Sequence, residues 1–257
     1  MRLEGKKIIV TGSTGIAEAS ALRFAAEGAY VFIISRTPES CQALADRISG
    51  GGYDCGWASA DLTDADAAAE AFEKFDAQQS VLDGLLAVAG GSGRRFGDGP
   101  AHEMDLEGWT RTHQINGDPT FLAASHALKR MKGRGGSIAI ITSVLADHPV
   151  PKLFATHGYA AAKGGGNSFA RTLAAYYAPD NIRVNALAAG LVLTPMSERA
   201  ANDPATTEYA ARKQPLADGF LDPAAIADVA LFLLSDDSAQ VTGQVIGVDG
   251  GWGVTEA

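Results

Sequence analysis

The sequence predicts an α/β fold of three layers: a doubly wound, seven-stranded parallel sheet with helices on both faces. Three observations lead there. Short β-branched runs alternate with longer helical stretches along the chain, which is the signature of βαβ units. The helical stretches are alanine-rich, with apolar residues at helical spacing. A glycine-containing turn joins the first strand to the first helix, where a ligand-binding α/β sheet needs close backbone approach.

The elements follow in order. The first strand is expected at 7–10, and Thr11-Gly12-Ser13-Thr14-Gly15-Ile16-Ala17 leads into a helix over 17–28, stopped by Gly28. A second strand at 30–34 precedes Thr37-Pro38, which sets a capping side chain before a proline at the first helical position. Strands at 55–60, 84–88, 137–142 and 183–188 then alternate with helices at 64–78, 109–131 and 159–178. Asp222-Pro223 opens a last helix over 223–234, and a strand at 245–248 completes the seven. Two irregular stretches remain, the glycine-rich 90–100 and the Pro/Thr/Ala-rich 191–221. Neither resembles a linker and there is no internal repeat, so a single domain spanning 1–257 is expected. Right-handed crossovers place ligands outside the carboxyl ends of the strands, where the winding reverses.

Composition narrows the function classes. With 46% hydrophobic and 20% charged residues, the 257-residue chain has the make-up of an ordinary globule with a sizeable core. Its net charge of -9 argues against a nucleic-acid or anionic-membrane partner, since both need a basic surface. Cys41 and Cys55 are too few for a disulfide framework and fit two packed thiols in a reducing compartment. Met1-Arg2-Leu3-Glu4-Gly5-Lys6-Lys7 runs straight into an apolar strand, leaving no room for a signal peptide, and no run approaches a membrane span. A cytoplasmic location is expected. The five histidines lack ligand spacing, so no metal site is expected; His148 and His157 belong either to the rim of a site or to plain surface.

Backbone amides of the first turn can face a pyrophosphate, aided by the positive end of the helix, although such a turn also has a purely steric use. The second strand ends Ile34-Ser35-Arg36. An acidic residue here would bind ribose hydroxyls, whereas an arginine offers a planar fork to a 2′-phosphate, which points to NADP(H) over NAD(H). A solvated surface arginine is the plainer alternative. Asp61-Leu62-Thr63 closes the third strand, where the carboxylate either reaches an adenine amino group or starts the next helix.

Tyr159-Ala160-Ala161-Ala162-Lys163 puts a phenol and an ammonium on one helix face. A free tyrosine has a pKa near 10, so acid–base work at neutral pH calls for nearby positive charge. Ser143 ends the fifth strand, where its hydroxyl can meet the same substrate oxygen. Asn116 lies mid-helix, a position where a polar side chain needs a reason such as a bound water.

With these residues in hand, the chain resembles the short-chain dehydrogenase/reductases over essentially its whole length. The ordered matches are the Thr-Gly turn, Asp61, Ala89-Gly90, Asn116, Gly136-Ser137-Ile138, Ser143, Tyr159 and Lys163. Asn181 to Asn185, Thr194-Pro195-Met196, Val241 to Gln244 and Val248 to Gly251 complete them. The resemblance implies a Rossmann fold and an Asn116-Ser143-Tyr159-Lys163 tetrad interconverting a carbonyl and an alcohol with NADP(H). Tyr159 protonates the oxygen that Ser143 holds, Lys163 binds the nicotinamide ribose and lowers the tyrosine pKa, and Asn116 holds a relay water. Residues 182–190 form the floor beside the nicotinamide, Thr194 meets its carboxamide, and Gly190 and Val192 join the cofactor-binding set with Gly12, Ser13, Thr14, Gly15, Ile16, Ser35, Arg36, Asp61, Leu62, Ala89 and Gly90. A homotetramer or homodimer acting on a small molecule is implied.

Departures from the family pattern are plain. Gly12 and Gly15 are separated by only two residues, Ala17 replaces the third glycine, and Ala87-Val88 replaces an Asn-Asn pair that would tie strands and adenosine together. The usual proline is missing at Ala189-Gly190, and a loop at 147–157 is longer than usual, expected over the substrate. Lys163-Gly164-Gly165-Gly166 places glycines inside a helix, which close packing on the sheet or on a partner helix would offset. The Tyr-Lys spacing differs from the family's enoyl reductases, and the intact lysine from its dehalogenating members; the chain is also shorter than the epimerases that share the pair. The rival from another class is a catalytically silent nucleotide-binding or sensor protein. Arg94 and Arg95, in the 90–100 loop, could attract a carboxylate or an acyl-carrier phosphate, or simply be solvated.

Overall fold

The computed structural model describes residues 1–256. Seven strands, β1 (Lys7–Thr11), β2 (Tyr30–Ser35), β3 (Cys55–Ser59), β4 (Gly84–Ala87), β5 (Gly136–Ser143), β6 (Ile182–Ala189) and β7 (Val245–Val248), form one parallel sheet in the order β3-β2-β1-β4-β5-β6-β7. The winding reverses between β1 and β4, where Thr11 pairs with Ala87. Helices α1 (Ile16–Ala26), α2 (Pro38–Gly50) and α8 (Pro223–Leu234) cover one face; α3 (Ala65–Asp76), α4 (Leu106–Met131) and α5 (His157–Tyr177) cover the other. The seven expected strands and five expected helices are all present, with ends displaced by at most three residues.

Strand alternation builds the two cores. Ile8, Val10, Val31 and Ile33 point to the α1/α2/α8 side, while Ile9, Phe32 and Ile34 point to the α3/α4/α5 side, all fully buried. Each such side chain contributes about 1.5–3 kcal/mol of burial, so the central strands hold the sheet's carboxyl edge rigid. A third, smaller cluster of Val144, Leu145, Val150, Ala188 and Trp252 lies beyond the ends of β5 and β6.

Local signals act mostly as the residues suggest. Asp222 caps α8 by accepting from the Ala224 amide at 2.8 Å, and Gly28 takes φ 89° after α1. Two expectations change. Thr37 makes no side-chain cap; the Ser40 hydroxyl instead donates to the Thr37 carbonyl. The cap of α3 is Asp64, which accepts from the Asp66 and Ala67 amides, so Asp61 is not the helix start. The stretch 191–221 also carries α6 (Glu198–Ala201) and α7 (Pro204–Lys213), whose short runs have little apolar periodicity to announce them. Among the described residues no helix is long and apolar enough to cross a membrane.

The α5 glycines divide in role. A Cβ at Gly166 would lie 3.0 Å from the Thr142 side chain on β5, so this glycine sets the helix-to-sheet distance, while a Cβ at exposed Gly165 meets nothing within 4 Å. Gly165→Ala should therefore raise stability by about 0.5–1 kcal/mol, a gain of a few degrees in Tm, and Gly166→Ala should not. Thermal melts of the two variants check this; an equal gain from both would remove the packing explanation.

Candidate active site

Two adjoining cavities lie at the carboxyl edge, one of about 430 Å³ and one of about 200 Å³. Both are bounded by Ile16, Val88, Gly90, Gly91, Ser92 and Thr194, so they form a continuous cleft at the point where the winding reverses.

The larger cavity is built on the first turn. Gly12 and Gly15 adopt φ 106° and 57°, a region that side chains disfavour. Gly15 caps α1 without a side chain, which leaves the first amides of the helix without side-chain partners. Gly15 does not line the cavity: a Cβ there would lie 2.8 Å from the Thr194 side chain, so its role is to let the 194–197 segment approach. Gly12, Ser13, Thr14 and Ile16 do line it, with Ser35, Arg36, Asp61, Leu62, Ala89 and Gly90. The shortened turn leaves the cavity open.

At its β2 end three hydroxyls converge: Ser13 donates to Ser35 at 3.0 Å and shares a 2.8 Å hydrogen bond with Ser40, beside Arg36 and Thr37. Such a set of hydroxyl donors and a guanidinium fits a dinucleotide phosphate. Asp61 accepts from the amide and hydroxyl of Thr63 through one oxygen. Burial alone would raise its pKa; the Thr63 bonds, followed by Arg36 and Arg111, outweigh it and hold the carboxyl below its ordinary value.

The Thr11 hydroxyl accepts from the Val88 and Ala89 amides at 2.9 and 3.0 Å, tying β1 to the chain leaving β4. One turn further, Asn116 accepts from the Gly91 amide and donates to the carbonyls of Gly91 and Thr112. Its side chain thus spends both N–H groups on backbone and lines neither cavity, which ties it to the 90–91 loop.

Ser143, Tyr159 and Lys163 line the smaller cavity together, with Gly190, Val192 and Thr194. The buried Lys163 Nζ, 6% exposed, donates to the Ile141 carbonyl at 2.9 Å and sits 5.7 Å from the Tyr159 ring centre. An ammonium has three N–H donors, so two remain for a ligand. Burial pulls the lysine pKa down to about 8. Burial also pushes the Tyr159 phenol up to about 12, opposed only by a hydrogen bond to Ser143. In the protein alone desolvation dominates, and the phenol is protonated at neutral pH.

Several residues here carry no sequence signal. Asp98, 5% exposed in the 90–100 loop, accepts from the Gly158 amide at 2.8 Å and the Tyr159 amide at 3.0 Å, fixing the start of α5. Fully buried Gln214 accepts from the Leu191 amide and donates to the Leu191 and Gly219 carbonyls, pinning the segment after β6; a Cβ at Gly190 would collide with it. Each is a lone polar residue in an irregular stretch, with no periodicity to single it out. From the 147–157 loop, Phe154 and Thr156 line the smaller cavity. His148 and His157 are exposed and line neither cavity. Arg94 and Arg95 diverge: Arg94 lines the smaller cavity, and Arg95 the larger.

A family model described as enoyl-(acyl carrier protein) reductase matches residues 10–253. Among curated proteins, the chain is 36% identical to 3-oxoacyl-[acyl-carrier-protein] reductase FabG of Thermotoga maritima, covering 98% of this chain and 99% of that protein. It is 33% identical to glucose 1-dehydrogenase of Gluconobacter oxydans, over 97% and 92% of the two chains. Among solved structures, a gluconate 5-dehydrogenase from Burkholderia cenocepacia in complex with NADP and tartrate superposes with a TM-score of 0.90 at 28% identity, over 98% and 96% of the chains. With the ordered motifs, the sheet order and the Ser-Tyr-Lys cavity already in place, these full-length similarities mean that the chain belongs to the short-chain dehydrogenase/reductases, oxidoreductases that act on CH–OH donors with NAD(P).

Proposed function

We propose that the protein is a single-domain, NADP(H)-dependent carbonyl reductase for a small molecule, with Tyr159 as its proton donor. The observation that carries this reading is the convergence of Ser143, Tyr159 and Lys163 on one cavity that opens into the glycine-turn cavity. NADPH, when bound, supplies the hydride. The chain's own residues do the rest. Ser143 donates a hydrogen bond to the carbonyl oxygen and stabilises the charge that develops there. Tyr159, kept protonated by burial, holds the proton that this oxygen takes up at its phenolic oxygen. Lys163 offers its two spare N–H groups to ribose hydroxyls, and Thr194 holds the carboxamide. Asn116 and Asp98 are positioning residues, one for the 90–91 backbone and the other for the Tyr159 turn.

Preference for NADP(H) rests on Arg36 beside the Ser13-Ser35-Ser40 hydroxyls, with no acidic residue ending β2. The solved gluconate 5-dehydrogenase with bound NADP supports the same choice. The four-residue Tyr-Lys spacing favours carbonyl over enoyl reduction, in line with the similarity to a 3-oxoacyl reductase. A cytoplasmic homotetramer or homodimer packed through α4 and α5 fits half-exposed Phe121, whose ring stands 6.3 Å from that of Phe169.

Three measurements test this reading. Tyr159→Phe should lower kcat by roughly 10²- to 10⁴-fold while NADPH titration stays near wild type; substantial residual turnover overturns the assignment. Arg36→Leu should weaken NADPH binding by roughly 10- to 100-fold and leave NADH binding little changed. A wild-type preference for NADH would sink the cofactor choice. Light scattering should give the mass of a dimer or tetramer, and a monomer would remove the interface.

A further inference from the structure

The reaction proposed above leaves two charges in the smaller cavity without a task. Arg94, from the loop after β4, and Arg199, from α6, line the same cavity as Ser143 and Tyr159. Most of the remaining lining is apolar, with Val144, Leu145, Phe154, Leu191 and Met196 among it.

Among the described residues five of the chain's thirteen arginines pair with carboxylates, and these two are among the eight that do not. Arg2, Arg23, Arg47, Arg130 and Arg212 each form ion pairs in a chain whose acidic residues outnumber its basic ones. Among the described residues, neither Arg94 nor Arg199 has a carboxylate within 4.0 Å. The acidic groups nearest in influence are already engaged. Asp98 gives both oxygens to the Gly158 and Tyr159 amides, and Asp203 caps α7 through Thr206. Arg94 itself donates one N–H to the Leu153 carbonyl at 3.3 Å, which orients the guanidinium and leaves its other donors unused. Its pKa lies below the ordinary arginine value, first because it is desolvated and then because Arg199 is close, so the two like charges feel one another. Both residues are exposed, so water screens their repulsion in the free protein, yet two guanidinium groups bordering one partly apolar cavity favour an anion placed between them.

We propose that Arg94 and Arg199 form an anion clamp for the carboxylate of a compact carbonyl substrate, whose reacting oxygen meets Ser143 and Tyr159. The inference rests on the reductase reading and narrows its substrate class. A carboxylate matches the planar fork of a guanidinium, and the cavity of about 200 Å³ suits a short chain between the two functional groups. The clamp is distinct from the arginines of the dinucleotide cavity, Arg36 and Arg95.

The test compares 4-oxopentanoate with its methyl ester as substrates under NADPH. Alongside it, calorimetry compares pentanoate with pentanamide as non-reacting ligands. The variants are Arg94→Met and Arg199→Met, with Arg212→Met on α7 as the charge control. NADPH titration reports whether each variant is folded. The acid should be preferred over the ester in kcat/KM, and each clamp variant should cut that preference roughly 10-fold or more, with a parallel loss of pentanoate affinity. Arg212→Met should move neither ratio. Turnover of both substrates with a preference indifferent to Arg94 and Arg199 overturns the clamp and leaves the reductase reading standing. Pentanoate binding that needs both arginines, without turnover of either ketone, upholds the anion site and overturns short oxo-acids as its substrates. Absence of pentanoate binding in the wild type overturns the clamp.

Discussion

The site depends on one buried ammonium. Lys163 is removed from water with a single protein acceptor, the Ile141 carbonyl near the end of β5. Such a charge is costly unless further acceptors meet it, and the two remaining N–H donors of Nζ suit a group rich in hydroxyl or anionic oxygen. The same burial drives the phenol of Tyr159 the other way, and the pair rests as a weakened cation beside a neutral acid. The phenol is the neutral, protonated partner of the pair and, at about 12, a weaker acid than a free tyrosine.

Holding this pair in place is a packing problem as much as an electrostatic one. The helix that carries both residues approaches β5 closely because Gly166 lacks a Cβ, and its first turn is held by Asp98 from a loop distant in sequence. A Cβ at Gly158 would come within 3.0 Å of that carboxylate. The loop is in turn fixed by Asn116, whose amide closes a two-way hydrogen-bonded link with Gly91. Strand β4, loop, α4 and α5 therefore form one connected support, and the residues that do chemistry are a small part of it.

The departures from the family's sequence pattern become intelligible at this level. At Ala87-Val88, where the family pattern has side-chain amides, the Thr11 hydroxyl ties β1 to the Val88 and Ala89 amides. A shortened glycine turn does not close the cleft, because Gly15 faces the Thr194 segment rather than the cavity. Substitutions that look damaging in one dimension are offset by atoms that only the fold brings within reach.

The sequence by itself determined the strand and helix order and the doubly wound topology, which follow from periodicity and turn chemistry, both local properties of the chain, and it singled out Ser143, Tyr159 and Lys163 as candidates through a four-residue spacing and the family resemblance. Tertiary structure alone decided the work of Asp98, Gln214 and Arg199, the separation of Arg94 from Arg95 into different cavities, and the two short helices within 191–221. It also decided the direction in which the Tyr159 pKa moves. The spacing of Tyr159 and Lys163 states that a cation is near, but the outcome depends on how much water the surrounding residues exclude. That quantity belongs to the packed volume and to no segment of sequence.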